Sequence, residues 1–252
     1  MKHEGNIPHA IEYFESGINR NLYALVQNRF AWMNEFIVST DVDLEVGCGA
    51  GFSKQFIKAK NFKICDFSDY EFLDYKNVDA LNTGFDSETY DFVVNSNMIH
   101  HVPYPVLFLE EMHRILKKGG RLIIQDINCS LVTKLSVFLM RHEGFDFTAN
   151  VFDTNNPCTD ENDLWSANIA IPNLLFDDVN KFQILFGKYY DIIHHSYDEC
   201  LTFINSGGVI AKTRHIPMRN SVLKRIHKID KIITNAFPRL FAMQRKIVLV
   251  KT

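Results

Sequence analysis

The nine residues from Asp43 to Gly51, DLEVGCGAG, constrain the fold more than any other stretch of this chain. Asp43 to Val46 reads as a buried strand that runs straight into a glycine turn. Gly47, Gly49 and Gly51 stand at alternate positions, where they let the backbone reverse tightly and let a ligand approach closer than a Cβ would allow. Such a strand-turn-helix junction belongs at the ligand-binding edge of an α/β sheet. Glu45 narrows the ligand. A loop that cradles pyrophosphate does so with backbone N–H groups and a helix N-terminus, and a carboxylate beside it would repel the anion. A carboxylate at the mouth of the loop suits a ligand carrying positive charge instead. Phe52 also occupies the place where the dinucleotide fingerprint G-x-G-x-x-G requires its last glycine.

The following residues repeat the same logic. Phe62 to Cys65 is a short apolar strand ending at Asp66, where a parallel sheet brings strand ends to one edge and an acid can accept hydrogen bonds from a pair of hydroxyls. Asp66 can equally cap the turn Asp66-Phe67-Ser68. A third strand is expected at Asn77-Val78, ending in Asp79-Ala80. A fourth, Tyr90 to Asn97, ends in small polar residues. A helix from about Pro105 to Lys117, a Gly119-Gly120 turn and a fifth strand, Arg121 to Asp126, complete the run.

The ordered segments DLEVGCGAG, ICDFS, VDALN, YDFVVNSNMIHHV and EEMHRILKKGGRLIIQD resemble the class I S-adenosylmethionine-dependent methyltransferases, in particular the broad group that includes small-molecule, quinone-ring and sugar methyltransferases. The likeness is strong over residues 40–128 and loose elsewhere. It implies a Rossmann-like α/β fold: seven mostly parallel strands, the seventh antiparallel, flanked by helices and carrying a substrate-covering insertion. It implies S-adenosyl-L-methionine as cofactor. Glu45, Gly47, Gly49 and Gly51 would hold its methionine portion, Asp66 the ribose, and Asp79 with Ala80 the adenine. Asn95 would lie beneath it, and Cys48 and Phe67 complete the expected cofactor contacts. Only twelve residues separate Asp66 from Asp79, too few for a full helix, so that stretch reads as a loop with at most one turn. This shortening, together with HEGFDF (residues 142–147), resembles methyltransferases encoded among bacterial surface-polysaccharide genes.

Residues 1–252 read as one methyltransferase domain. A helical cover spans 8–38, the cofactor-binding core 40–128, a substrate-covering insertion 141–180, and 181–252 completes the sheet with strands at Tyr189 to Ser196 and Gln244 to Lys251. Apolar residues make up 46% of the chain and include 21 Phe, enough for a sizeable core. A formal net charge of −3 gives no long-range attraction for nucleic acid. Asn95-Ser96-Asn97-Met98 also lacks the Asn-Pro-Pro-Tyr type of sequence with which base-amino methyltransferases grip a flipped base. DNA is therefore not an expected partner. Five cysteines without paired spacing, and no signal peptide or spanning segment, place the chain in the cytoplasm.

Methyl transfer to a hydroxyl benefits from a group that takes the hydroxyl proton. The candidates are His100 and His101 after the fourth strand, Asp126 at the end of the fifth, and His142 with Glu143 in the insertion. Each has a structural alternative: packing or helix capping for the histidine pair, capping for Asp126, a solvated turn for 142–143. Asp126 and Asn128 could offer oxygens to Mg²⁺, but without a clear third ligand no metal is expected. The acceptor is expected to be a small molecule or glycan, with a sugar or surface-glycan hydroxyl ahead of a lipid-like phenol or quinone or a small amine. A non-catalytic cofactor-binding partner of another methyltransferase is the alternative from a different class. Finally, Arg219 to Lys246 carries eight Lys/Arg against Asp230 alone. Its bland reading is a solvated helix face; its sharper one is a peripheral contact with an anionic membrane. The oligomeric state is not legible.

Overall fold

The structure is a computed structural model that describes residues 6–37, 42–140, 143–209 and 213–252. Two helices lead the chain. α1 (Ile7–Glu15) starts where the Asn6 side chain accepts from His9 N, and α2 (Arg20–Ala31) where Asn19 accepts from Leu22 N. Each cap satisfies a backbone N–H that the first helical turn leaves without a partner. Gly17, at φ +66°, breaks the helical run between them.

Six strands form one sheet in the order β2-β1-β3-β4-β6-β5. They are β1 (Asp43–Val46), β2 (Phe62–Cys65), β3 (Tyr90–Ser96), β4 (Leu116–Ile127), β5 (Tyr190–Asp198) and β6 (Gln244–Lys251). β2, β1, β3 and β4 run parallel, while β6 lies antiparallel between β4 and β5. The α/β class, the mixed sheet and the antiparallel last strand agree with the sequence reading. The strand count does not: six strands are present among the described residues where seven were expected.

The missing one is Asn77-Val78. Asn77 takes a left-handed φ of +54°, which no extended run sustains. Asn77 N and Val78 N donate to Ser68 O and Asp66 O, folding the segment onto the loop beyond β2 instead of into a strand. The stretch from Asp66 to Asp79 is a loop, as its length requires. It covers the outer edge of β2: the Asp74 carboxylate accepts from Ile64 N at 3.0 Å, and Asp74 N and Tyr75 N donate to Ile64 O.

Alternation along the strands sends apolar residues to both faces. One face gathers Leu44, Val46, Val93, Leu122, Ile124 and Leu249 under α3 (Pro105–Ile115). The other gathers Phe92, Val94, Ile123 and Val248 under α1 and α2, with Phe14, Leu25 and Phe30. α3 stops two residues earlier than expected, because Leu116 already pairs with Tyr90. The glycine turn lies inside β4, where a Cβ on Gly120 would meet Lys117 O at 2.7 Å. α4 (Leu131–Met140) follows β4. After the loop 143–170 come α5 (Ile171–Phe176) and α6 (Val179–Phe186), then β5, the short α7 (Leu201–Ile204), the long α8 (Asn220–Ala236), α9 (Pro238–Phe241) and β6.

Buried charges tie the elements together in pairs. Arg29 of α2 reaches Glu199, beyond β5, through two hydrogen bonds of 2.8 Å. Lys246 of β6 is bonded to Asp198. Arg245, fully buried, donates to Pro172 O, Asn128 and Asp177. Among the described residues no helix is long and apolar enough to cross a membrane.

Candidate active site

The ends of β1, β2 and β3 open onto a cleft of about 740 Å³. Its floor is the glycine turn. Gly47, Gly49 and Gly51 all take positive φ, and a Cβ on Gly47 would lie 2.5 Å from Met98 Cγ, so a larger residue there is doubly excluded. Gly49 has open space above it, where a ligand can approach the backbone. Asp66 organises the turn: one carboxylate oxygen accepts from Gly49 N at 2.9 Å and the other from Ser68 N at 3.0 Å. The two readings of Asp66 are therefore compatible, since it caps its own turn and still lines the cleft.

Glu45 lines the cleft from beneath and is almost wholly buried, with the Ser53 hydroxyl bonded to its Oε2. Burial is the chief cause that pushes its carboxyl up to about 8, with the neighbouring Asp66 adding to it. Cys48 also lines the cleft, and burial pushes its thiol far above the usual range, so it is no nucleophile. Phe67, Asp79 and Ala80 line the side wall. Asn95 lies below the cleft lining, its side-chain amide donating to Val46 O at 3.1 Å and so joining the ends of β1 and β3.

At the other end of the cleft, beyond β3, comes the turn Met98–His101. Asp126, at the end of β4, holds this turn from inside. Its Oδ2 accepts from Met98 N (2.9 Å) and Ile99 N (2.8 Å), and its Oδ1 lies 2.5 Å from His100 Nδ1. Asp126 is thus an internal strut that holds the start of the single helical turn Ile99–His101. Burial opposes charge on His100, but the Asp126 carboxylate outweighs it and the net shift is upward. His101 behaves oppositely: burial, then its neighbour His100, lowers it to about 4, so its ring is neutral at physiological pH. His101 Nδ1 lies 3.0 Å from Ser166 O, and His101 faces the cleft while His100 does not. Glu143 Oε2 approaches His100 Nε2 at 3.9 Å. His142 lies outside the described residues.

The loop 143–170 is stitched onto this turn. Asn168 N donates to His100 O, Thr159 Oγ1 to His101 O and Cys158 N to Pro103 O. Gly144 and Asn168 pair across the loop, which brings Glu143 to the histidines. Asn128 is committed elsewhere: it donates to Pro238 O and Ala242 O and accepts from Arg245, so it does not join Asp126 in an oxygen site.

Several cleft residues had no motif to announce them. Asp160, Glu161, Asp163 and Trp165 reach it from the loop, and Arg29 from α2. The acid-rich run DENDLW was visible in the sequence, but nothing in it said which wall it would line. With Asp66 and Asp79 these acids outnumber the basic residues of the cleft, Arg29 being already paired with Glu199.

Comparison with known proteins agrees with this geometry. Residues 44–124 match a family described as a methyltransferase domain. Its fold is similar to that of a SAM-dependent methyltransferase from Archaeoglobus fulgidus, with a TM-score of 0.54 at 16% identity over 96% of this chain and 99% of that one. It is also similar to a chain from the complex between the Haloferax volcanii Trm112 methyltransferase activator and a methyltransferase, with a TM-score of 0.50 at 13% identity over 95% of this chain and 92% of that one. In sequence, 58 residues are 38% identical to the phthiotriol/phenolphthiotriol dimycocerosates methyltransferase of Mycobacterium leprae. That match covers 23% of this chain and 22% of the relative, so the matched stretch spans about a fifth of the curated protein. The cleft would fit S-adenosylmethionine: acids outnumber basic residues in its lining, and it is open above Gly49.

Proposed function

We propose that this protein transfers a methyl group from S-adenosylmethionine to a hydroxyl of a sugar or surface-glycan precursor. The observation that supports it is the continuity of the acid-lined cleft with the His100–His101–Glu143 group at the end of β3. S-adenosylmethionine supplies a methyl group on positively charged sulfur. The chain's own residues bind, align and exclude water. Glu45 and the glycine turn take the amino-acid end, Asp66 the ribose hydroxyls, and Asp79 with Ala80 the adenine. Leu164 and Trp165 close over the same cleft. The cluster of His100, Asp126 and Glu143 deals with the acceptor's proton: Asp126 fixes the His100 ring through Nδ1, leaving Nε2 turned toward Glu143. Transfer of labelled methyl groups to a panel of glycosides, phenols and amines tests the reading. Labelling of phenols or amines but no glycoside would overturn the sugar assignment, and cofactor binding without transfer to any of them would leave the non-catalytic alternative.

One observation favours a lipid-like phenol or quinone acceptor as a second reading. Leu131, Leu135, Phe138 and Leu139 of α4 are exposed, and a second hollow beside them shares Glu143 in its wall. An apolar tail resting on α4 would bring its head group toward Glu143. The outward side of α8 would suit the surface from which such an acceptor comes. Lys224, Arg225, Lys228 and Lys231 are exposed there together with Ile229 and Ile232. Arg245 and Lys246, counted in the same basic run, are buried in β6 and belong to the core.

A further inference from the structure

The two histidines and the glutamate that face one another beyond β3 have an arrangement that proton handling alone does not explain. One ligand atom from each of His100, His101 and Glu143 lies within 4.8 Å of the other two. The two imidazole rings are neighbours, with centroids 4.2 Å apart and planes inclined by 40°. Each ring is oriented from behind. His100 Nδ1 is bonded to the buried carboxylate of Asp126 at 2.5 Å, and His101 Nδ1 to the Ser166 carbonyl at 3.0 Å. A carbonyl only accepts, so His101 Nδ1 carries the proton and its Nε2 keeps a lone pair. Asp126 sets the same tautomer on His100, whose Nε2 lies 3.9 Å from a Glu143 oxygen. That separation is too long for a hydrogen bond.

We infer that His100, His101 and Glu143 bind one divalent transition-metal ion. Imidazoles whose second nitrogen donates to a carboxylate or a carbonyl are the usual form of a histidine ligand, because that bond fixes both the tautomer and the ring. An ion bonded at about 2.1 Å to each atom holds its ligands roughly 3–4 Å apart, so the observed spacing, within 4.8 Å, closes with small side-chain movements. Two nitrogens and one carboxylate select an ion of the Zn²⁺ or Fe²⁺ kind over Mg²⁺, which prefers oxygen ligands throughout. Three protein ligands leave positions open for substrate.

The task of such an ion rests on the proposed function. The ion would act as a Lewis acid on an acceptor hydroxyl in an open position: the O–H proton would pass to water, the oxygen would bond to the methyl carbon, and the sulfur would leave as the neutral thioether. Binding of the ion itself does not depend on that reading, and the ion would also tie the loop 143–170 to the β3 turn.

The test is a titration of the chelator-treated full chain with Co²⁺, followed by visible absorption. One Co²⁺ per chain is expected, displaced by Zn²⁺ but not by millimolar Mg²⁺. Glu143→Gln and His101→Asn should each weaken binding by at least tenfold, with the far-ultraviolet circular dichroism unchanged. Absence of a stoichiometric Co²⁺ spectrum, or equal affinity in both variants, overturns the site. X-ray absorption of the Zn²⁺-loaded wild-type chain needs no variant: two imidazoles and no sulfur are expected, and sulfur ligands overturn it as well. A parallel titration with S-adenosylhomocysteine keeps the two ideas apart, since loss of the cofactor reading would appear there and not in the metal spectrum.

Discussion

At the scale of single residues, the site depends on carboxylates that do two jobs each. Asp66 holds Gly49 N and Ser68 N while lining the cleft, where the proposed function puts the ribose. Asp66→Ala should therefore weaken S-adenosylhomocysteine binding by roughly tenfold or more, through lost charge-assisted bonds and a looser turn. Calorimetry on the folded variant checks this, and unchanged affinity would discard the assignment. Glu45 gives a pH dependence whose sign is fixed. Burial holds its carboxyl near 8, so at pH 7 it keeps its proton. A cationic ligand favours the carboxylate and expels that proton. Cofactor affinity should thus rise from pH 6 to about 8 and then level. At pH 7 the apparent binding enthalpy should change with the ionisation heat of the buffer, and Glu45→Gln should abolish that dependence. Glu143→Gln should lower kcat while leaving cofactor affinity nearly intact, because Glu143 lies outside the cofactor cleft. Wild-type turnover by this variant would move the proton chemistry to His101.

At the scale of elements, what the sequence made legible follows from how local each signal is. The strand-to-glycine junction of β1, the short β2 ending in an acid, and the apolar run of β3 and β4 are set by residues within a few positions of one another. β1, β2 and β3 appear where the pattern put them, while β4 begins at Leu116, ahead of the expected Arg121, and takes the glycine pair into itself. Asn77-Val78 looked like a strand by the same rule and is not one, because a positive φ at Asn77 and bonds back to Asp66 and Ser68 take its backbone groups. Tertiary partners decided there. They decided again for the loop 143–170, whose role rests on bonds to His100, His101 and Pro103 that no spacing in the sequence announces. Long-range pairs also determine how firmly the helical cover is held. Arg29 of α2 is the bidentate partner of the buried Glu199. Arg29→Met would leave that carboxylate buried and unneutralised, a loss of about 3–5 kcal/mol. Urea unfolding should show the midpoint falling with little change in slope, and an unaltered midpoint would mean that the pair carries no net stability.

At the scale of the whole molecule, the ligand cleft and the exposed side of α8 pose a question of location. The exposed Lys224, Arg225, Lys228 and Lys231 would each add about 1 kcal/mol of attraction to an anionic bilayer at low salt. Cosedimentation with phosphatidylserine vesicles should be measurable at low salt, fall at physiological salt, and disappear when all four become Gln. Binding that survives those replacements, or none at low salt, would leave α8 as a solvated face. The loop that stands where a third strand was expected has a different consequence. A parallel sheet that ends at β2 offers its outermost amides and carbonyls to any extended chain that passes. Here the Asp74 carboxylate and the amides of Asp74 and Tyr75 already occupy those of Ile64, with Lys54 and Lys63 held beside Asp74. The shortened crossover thereby acts as a stopper against edge-to-edge strand addition, and the same dozen residues that border the cleft keep crowded copies of this chain from polymerising through their sheets.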